Sequence, residues 1–341
     1  MTGMEAGAVA AGAFLLALLG TGLQRRHALR VGIVDVPNAR SSHVLPTPRG
    51  GGLAIVTVSL VGMMWLAWSG WIEPRLFYAL AGGGTAVALV GHLDDLGRIG
   101  IAGRFSVHIA AAIWATAWLG GMPEIHVGEN VINVGYLGSL LAVLGIVWAL
   151  NLFNFMDGID GIAASQAVFM AGAGAAFATI AGMSNSTPAA GLVLAAASLG
   201  FLAWNWPPAR IFMGDVGSGY LGFALAVIGL AAMRERTIML PVWLILGSIF
   251  FIDSTVTLLR RLARRERVYE AHRSHAYQWL ARRLNSHLKV TLACLLLNIL
   301  WVAPCAWLAV RFPGIAGWCV LAAWGPILAL ALAAGSGRTE A

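Results

Sequence analysis

Residues 136–182 read YLGSLLAVLGIVWALNLFNFMDGIDGIAASQAVFMAGAGAAFATIAG. Two runs, 136–150 and 162–182, are apolar on every face, and the polar motif 151–161 separates them. Each approaches the ~20 residues that a bilayer-crossing helix needs, whereas a membrane-barrel strand would alternate apolar and polar positions. Working outward, similar runs occur at 6–23, 53–71, 76–93, 105–121, 189–204, 218–232, 238–258, 289–309 and 315–333. The sequence therefore predicts an all-α, polytopic transmembrane bundle of about eleven helices, one membrane domain spanning 1–341. Composition agrees: of 341 residues 59% are apolar and 11% charged, against about a quarter charged in soluble domains, so lipid must be the solvent. The first run lacks an A-x-A-like cleavage site and is followed at once by Arg25 and Arg26, so it is expected to be retained.

The net charge of +7 reports orientation rather than nucleic-acid binding. Alternating sides from the N-terminus, one side collects all but Arg75, Arg234, Arg236 and Arg311 of the 22 basic residues. The positive-inside rule puts that side in the cytoplasm, with the N-terminus outside and the C-terminus inside. Asp35, Asp94, Asp95, Asp157, Asp160, Asp215 and Asp253, all the aspartates of the chain, fall in or beside cytoplasmic segments. The acidic residues assigned outside, Glu5, Glu73, Glu124, Glu129 and Glu235, are all glutamates. Short, stiff carboxylates gathered on one face suit a hard cation with oxygen ligands; the turn preference of Asp is the competing explanation. Cys294, Cys305 and Cys319 lie in apolar runs without metal or disulfide spacing and read as packing residues.

Five cytoplasmic segments carry the candidate chemistry. VDVPNARSSHVLPTPRGGGLAI (34–55) offers Arg40, His43 and Arg49 in a Pro- and Gly-rich loop able to face phosphate. GHLDDLGRIGIAGRF (91–105) sets Asp94 and Asp95 at the end of a span, with Arg104 beyond; adjacent carboxylates there need a cation or a hydrogen-bond network. NLFNFMDGIDG (151–161) places Asn151, Asn154, Asp157 and Asp160 at intervals of three, with Gly158 and Gly161 expected to break the helix where it lines a cavity. WNWPPARIFMGDVGSGYLGF (204–223) holds a single carboxylate, Asp215, between Gly214 and Gly217, with Arg210 nearby to offset phosphate charge. The basic segment 253–284 contains His272, Arg273 and His275, which could put two donors and a cation on a phosphate but make a poor zinc site.

In order and spacing, VDVPNARSSH…PRGGG, LDDLGR, NLFNFMDGIDG, FMGDVGSGYLGF and AHRSHAYQ resemble the polyprenyl-phosphate N-acetylhexosamine-1-phosphate transferases, which start peptidoglycan, O-antigen and N-glycan lipid intermediates. The resemblance covers roughly residues 35 to 280. It implies ten or eleven transmembrane helices, a cytoplasmic site and Mg²⁺, with Mn²⁺ as a substitute. The implied reaction moves an N-acetylhexosamine-1-phosphate from a UDP-sugar to undecaprenyl phosphate and releases UMP; a homodimer is compatible with it. By the same resemblance Asp215 is the principal metal ligand, Asp94 and Asp95 form a catalytic acidic pair near the lipid phosphate, Asn154, Asp157 and Asp160 line the nucleotide-sugar pocket, and His272 and His275 hold phosphate or sugar. Two departures bear on sugar choice: Gly97 and Arg98 stand where a further acidic residue is common, and the histidine motif reads H-R-S-H. The AHRSHAYQ form looks more like the O-antigen and surface-glycan branch. Two rivals remain. A CDP-alcohol phosphotransferase would need D-G-x-x-A-R where this chain has DGIDGIA, and a transporter would carry charge at mid-membrane.

Overall fold

The computed structural model describes residues 1–37, 45–127, 130–182, 186–236, 238–267 and 272–338. The chain begins with helix α1 (Gly3–Val31), whose first turn is closed by a capping box between Thr2 and Glu5. A short ladder follows, β1 (Val34–Asp35) antiparallel to β2 (Thr47–Pro48), with Asp35 opposite Thr47. Next come α2 (Gly52–Trp68), α3 (Pro74–Asp95, with a π-turn at Ala79–Gly83) and α4 (Ile101–Trp118). A second ladder pairs β3 (Ile125–Val127) with β4 (Asn130–Ile132). Then α5 (Gly135–Met156), α6 (Ile162–Ala181), α7 (Ser186–Asn205) and α8 (Asp215–Arg234) follow in sequence. The last part comprises α9 (Leu240–Leu246), α10 (Ser248–Ala263), α11 (Ala276–Leu284), α12 (His287–Arg311, with a π-turn at Asn298–Val302) and α13 (Ala316–Ala334).

Each of the eleven apolar runs is helical. Eight described helices are long and apolar enough to cross a bilayer, nine when the pair α9 and α10, bent by 77° at Gly247, counts as one. Helix α2 has only 17 residues. Helix α4 carries Arg104 and His108, which lower its apolarity, and Arg104 serves the site described below.

The core is helix α8, buried over most of its length and flanked by α2, α3 and α5. In lipid the hydrophobic effect does not drive helix association, so close packing of small residues must do so. Gly52 of α2 and Gly217 of α8 meet backbone to backbone: a Cβ on Gly52 would lie 2.7 Å from the Gly217 nitrogen and 2.9 Å from the Met213 carbonyl oxygen. Helix α7 packs closely on α1 at Gly200, where a Cβ would lie 2.9 Å from the Leu18 nitrogen, and on α6 at Gly191, where it would lie 3.0 Å from the Ala171 carbonyl oxygen.

The break at Gly247 frees carbonyls at the end of α9, and buried side chains answer them. Gln166 Nε2 donates to the Leu246 carbonyl at 2.9 Å and is itself held by Asn298, whose Nδ2 donates to Gln166 Oε1 at 2.7 Å; Trp324 Nε1 donates to the Leu244 carbonyl at 3.1 Å. Gln166→Leu leaves a buried carbonyl and a buried amide unpaired, an expected loss of about 1–3 kcal/mol. The double variant Gln166→Leu/Asn298→Leu is expected to lose less than the two single losses together, read from thermal unfolding in detergent.

Candidate active site

Two loops far apart in sequence build the floor of the site. Phe212 N donates to the Pro48 carbonyl at 2.8 Å, Gly51 N to Phe212 at 2.9 Å and Gly52 N to Met213 at 2.9 Å. The N-termini of α2 and α8 therefore start side by side. Gly214, at φ +77°, turns the chain into α8, a conformation that side chains resist. Its turn aims the free N–H groups of the first residues of α8 at Asp95, the last residue of α3. The Asp95 carboxylate accepts from Asp215 N at 2.9 Å and Val216 N at 3.2 Å. An anion at a helix N-terminus satisfies orphan donors and the helix dipole together. Asp95 thus fixes where Asp215 stands.

Two arginines complete the cluster. Arg49 bridges Asp95 (Nε–Oδ1 2.9 Å) and Asp215 (NH2–Oδ1 2.8 Å). Arg104 NH1 binds the carboxylates of Asp94 and, at 2.9 Å, Asp215 Oδ2. Burial opposes the charge of Arg49, but Asp95 and Asp215 outweigh it and hold the guanidinium protonated above its ordinary value. Both oxygens of Asp215 thus face cations. The Arg104 nitrogen occupies a point shared by two carboxylates on different helices.

Beside the cluster opens a cleft of about 800 Å³, counting space open to solvent, whose walls include Asp35, Asn154, Asp157, Asp160, Asn205 and Gln278. Helix α5 ends at Met156, and Asp157 follows it in non-helical conformation, as the glycines of the motif imply. Asn154 Nδ2 donates to Ser218 Oγ at 3.2 Å. Burial, and then the negative charge of Asp215, push the Asp157 carboxyl well above the usual range. Asp160 ties the loop down: Oδ2 accepts from Ala209 N at 3.0 Å, and Oδ1 lies 3.2 Å from His287 Nδ1. A second cleft shares Asp160, Phe212 and His287 with the first.

Among the sequence candidates, Asp94, Asp95, Asp215, Arg49 and Arg104 meet in one network, and Asn154, Asp157 and Asp160 line the adjoining cleft. Others do not line it. Asn151 Nδ2 turns back to its own helix at the Val147 carbonyl, 2.7 Å. Arg210 lies over the Trp204 ring, 5.8 Å from its centroid. His275 is buried at the start of α11, its Nδ1 3.8 Å from Asp253 Oδ1 and its ring stacked on Phe155 and Tyr277. His272 packs beside it with ring centroids 4.9 Å apart, and the Arg273 carbonyl accepts from Arg282 NH2 at 3.0 Å. Arg40 and His43 lie outside the described residues. Asn205, Ser218, Gln278 and His287 line the cleft although sequence reasoning did not select them. Asn205, Ser218 and Gln278 fall inside motifs; nothing near His287 signals a site.

Burial, then the charge of His275 and Arg261, lower His272 to about 3, with Glu266 and Asp253 opposing. The unfolded chain takes up a proton near pH 6.5 that the folded chain refuses, so this group's contribution to stability is present above 6.5 and lost as pH falls from 6.5 towards 3. The His272 ring is expected to stay neutral from pH 8 to pH 5, its Nδ1 free to accept from Ser274 Oγ at 3.0 Å, as ring-nitrogen NMR shifts would report.

Among the described residues no three His, Cys, Asp or Glu side chains are arranged to hold a metal ion by themselves. The donor set fits a hard divalent cation of another kind, one taking Asp215 with Asp94 or Asp95 and the rest of its shell from water and phosphate oxygens. The guanidinium nitrogen between Asp94 and Asp215 marks a position where a cation is already favoured.

The sequence profile of glycosyl transferase family 4 matches residues 77–233, which include Asp94, Asp95, Arg104, Asn154, Asp157 and Asp215. The chain is 31% identical over 277 residues to a probable undecaprenyl-phosphate N-acetylglucosaminyl 1-phosphate transferase of Bacillus subtilis, covering 78% of this chain and 74% of that protein. It is 29% identical over 327 residues to a decaprenyl-phosphate N-acetylglucosaminephosphotransferase of Mycobacterium tuberculosis, covering 85% and 78%. It is also 31% identical over 259 residues to a phospho-N-acetylmuramoyl-pentapeptide-transferase of a Ruegeria species, covering 67% and 69%.

Proposed function

Because the chain belongs to glycosyl transferase family 4, among the polyprenyl-phosphate hexosamine-1-phosphate transferases, we propose that it transfers an N-acetylhexosamine-1-phosphate from a UDP-sugar to undecaprenyl phosphate at the cytoplasmic face of a bacterial inner membrane. The product primes an O-antigen or related surface glycan. One observation carries the reading: among the described residues Arg49 and Arg104 hold three carboxylates, Asp94, Asp95 and Asp215, while Asp35, Asp157 and Asp160 line the adjoining cleft, so that acidic side chains outnumber the arginines paired with them. Such an excess suits a divalent cation arriving with a diphosphate.

An oxygen of the lipid phosphate attacks the β-phosphorus of the donor; the bond from that phosphorus to the bridging oxygen breaks, and UMP leaves with that oxygen. Bound Mg²⁺, or Mn²⁺, supplies neutralisation of the diphosphate charge. Asp215 and Asp94 would hold it, and Arg49 and Arg104 exchange a carboxylate partner for phosphate oxygens. Positioning and electrostatic stabilisation then account for catalysis. Asp94 acts by position rather than as a base, since a phosphate monoester with a second pKa near 6 is already largely dianionic at pH 7. Asp94→Asn is accordingly expected to stay impaired from pH 7 to pH 9; full recovery of activity at high pH would identify Asp94 as a base.

The lipid has an apolar berth. A groove of about 1400 Å³, open to its surroundings, runs along α5 from Leu141 to Phe153 and is closed by Trp243, Phe250 and Trp324. Its inner end, at Leu152 and Phe153, adjoins Asn154 of the cleft. Purified protein with undecaprenyl phosphate, Mg²⁺ and a panel of UDP-N-acetylhexosamines is expected to release UMP and form a lipid-linked sugar with at least one donor. No UMP from any donor refutes the reading. UMP released without lipid would favour a double displacement through an aspartyl-phosphate.

A further inference from the structure

The segment that follows α13 is tied to the wall of the cleft through a buried aspartate. Ser336 is fully buried, and its Oγ donates to Asp253 Oδ1 at 2.7 Å. Its carbonyl accepts from Arg260 NH1 at 2.7 Å, and Gly337 N donates to the Ser274 carbonyl at 2.7 Å. Asp253, on α10, is the hub. Besides Ser336 it accepts from Ala276 N at 2.8 Å, Tyr277 N at 3.1 Å and Thr257 Oγ1 at 3.3 Å. It therefore caps α11 from outside, as Asp95 caps α8, with its charge at the positive end of the helix.

The first turn of α11 reaches the site directly. Tyr277 Oη donates to the Phe155 carbonyl at 2.9 Å, one of the carbonyls left open where α5 ends, and it fills the space that a side chain on Gly158 would need. Gln278 lines the cleft with Asp157 and Asp215, and its Oε1 accepts from His275 N at 3.3 Å. A continuous path of hydrogen bonds and contacts thus joins Ser336, Asp253, the α11 cap, Tyr277 and the loop carrying Asp157. All of it except the Asp157 loop lies outside residues 77–233, the part matched by the family profile.

We propose that Ser336 is a positioning residue: by locking Asp253 beneath the first turn of α11, it holds Tyr277 and Gln278 against the Asp157 loop and so shapes the donor side of the cleft. The inference rests on the transferase reading for its kinetic arm but not for its structural one. Ser336→Ala leaves Asp253 one donor short without touching any group that meets substrate. Donor KM is expected to rise about tenfold with kcat changed less than threefold. Hydrogen exchange of amides in 272–280 is expected to quicken while that of α8 stays as in the parent protein. Arg260→Gln, which removes the second tether at a partly buried position, is expected to act in the same direction, more weakly; it serves as the test if Ser336→Ala does not fold. Parental exchange in 272–280 with an unchanged donor KM overturns the proposal, and so does a fall in kcat alone. If the parent protein transfers no sugar phosphate, the transferase reading fails by itself, and exchange at 272–280 still decides whether Ser336 fixes α11.

Discussion

Asp215→Asn is expected to lower UMP release by roughly 10³-fold while leaving the protein folded, because the two roles of this carboxylate separate cleanly. In the resting site Asp215 accepts from Arg49 and Arg104, which keep Asp95 and Asp94 as partners when it is neutralised. The substitution removes one negative charge from a network of three aspartates and two arginines that carries an excess of one, so electrostatic repulsion falls rather than rises. Its backbone N–H still meets Asp95. Thermal unfolding in detergent should move by only a few degrees, whereas a carboxylate suited to a cation is gone. A variant that keeps a tenth or more of parental activity would remove Asp215 from the chemistry.

Gly52→Ala is expected to harm both folding and activity although no functional group is lost. The added methyl points at the Gly217 backbone and the Met213 carbonyl, atoms of the turn that launches Asp215. Neither can rotate away, so α2 and α8 must separate at the end where their N-termini frame the site. Overpacking of this kind costs about 1–3 kcal/mol. Arg49 lies three residues before Gly52, and a displacement near 1 Å at a reacting centre can cost about 10²-fold in rate. Gly12→Ala is the control: a Cβ there meets nothing within 4 Å, and both measurements should stay at parental values. Equal behaviour of the two variants would show that the α2–α8 contact is not what sets the site.

Some chemistry was legible because it is local. The triplet spacing from Asn154 to Asp160, the lone Asp215 among glycines and the DD pair each sit within one turn of a helix end, where sequence neighbours are spatial neighbours. The adjacency of Asp94 and Asp95 could not say how their roles divide. Asp95 caps α8 and Asp94 meets Arg104, a partition made by α8 and α4 rather than by α3. The histidines show the opposite error of scale: three apart in sequence and suited to phosphate on paper, His275 turns inward beside Asp253 because its residue begins a helix that needs a cap.

By itself the sequence determined that the chain lives in lipid, that its elements are helices and that Asp94, Asp95, Asp157, Asp160 and Asp215 lie at or beside the ends of those helices, since hydropathy, period and side-chain type are properties of short segments. The partners of each arginine, the recruitment of His287 and Gln278 and the tie from Ser336 to Asp253 were decided only by tertiary structure. Each depends on which helix ends are brought within about 3 Å, the reach of a hydrogen bond, and no short-range pattern encodes that distance.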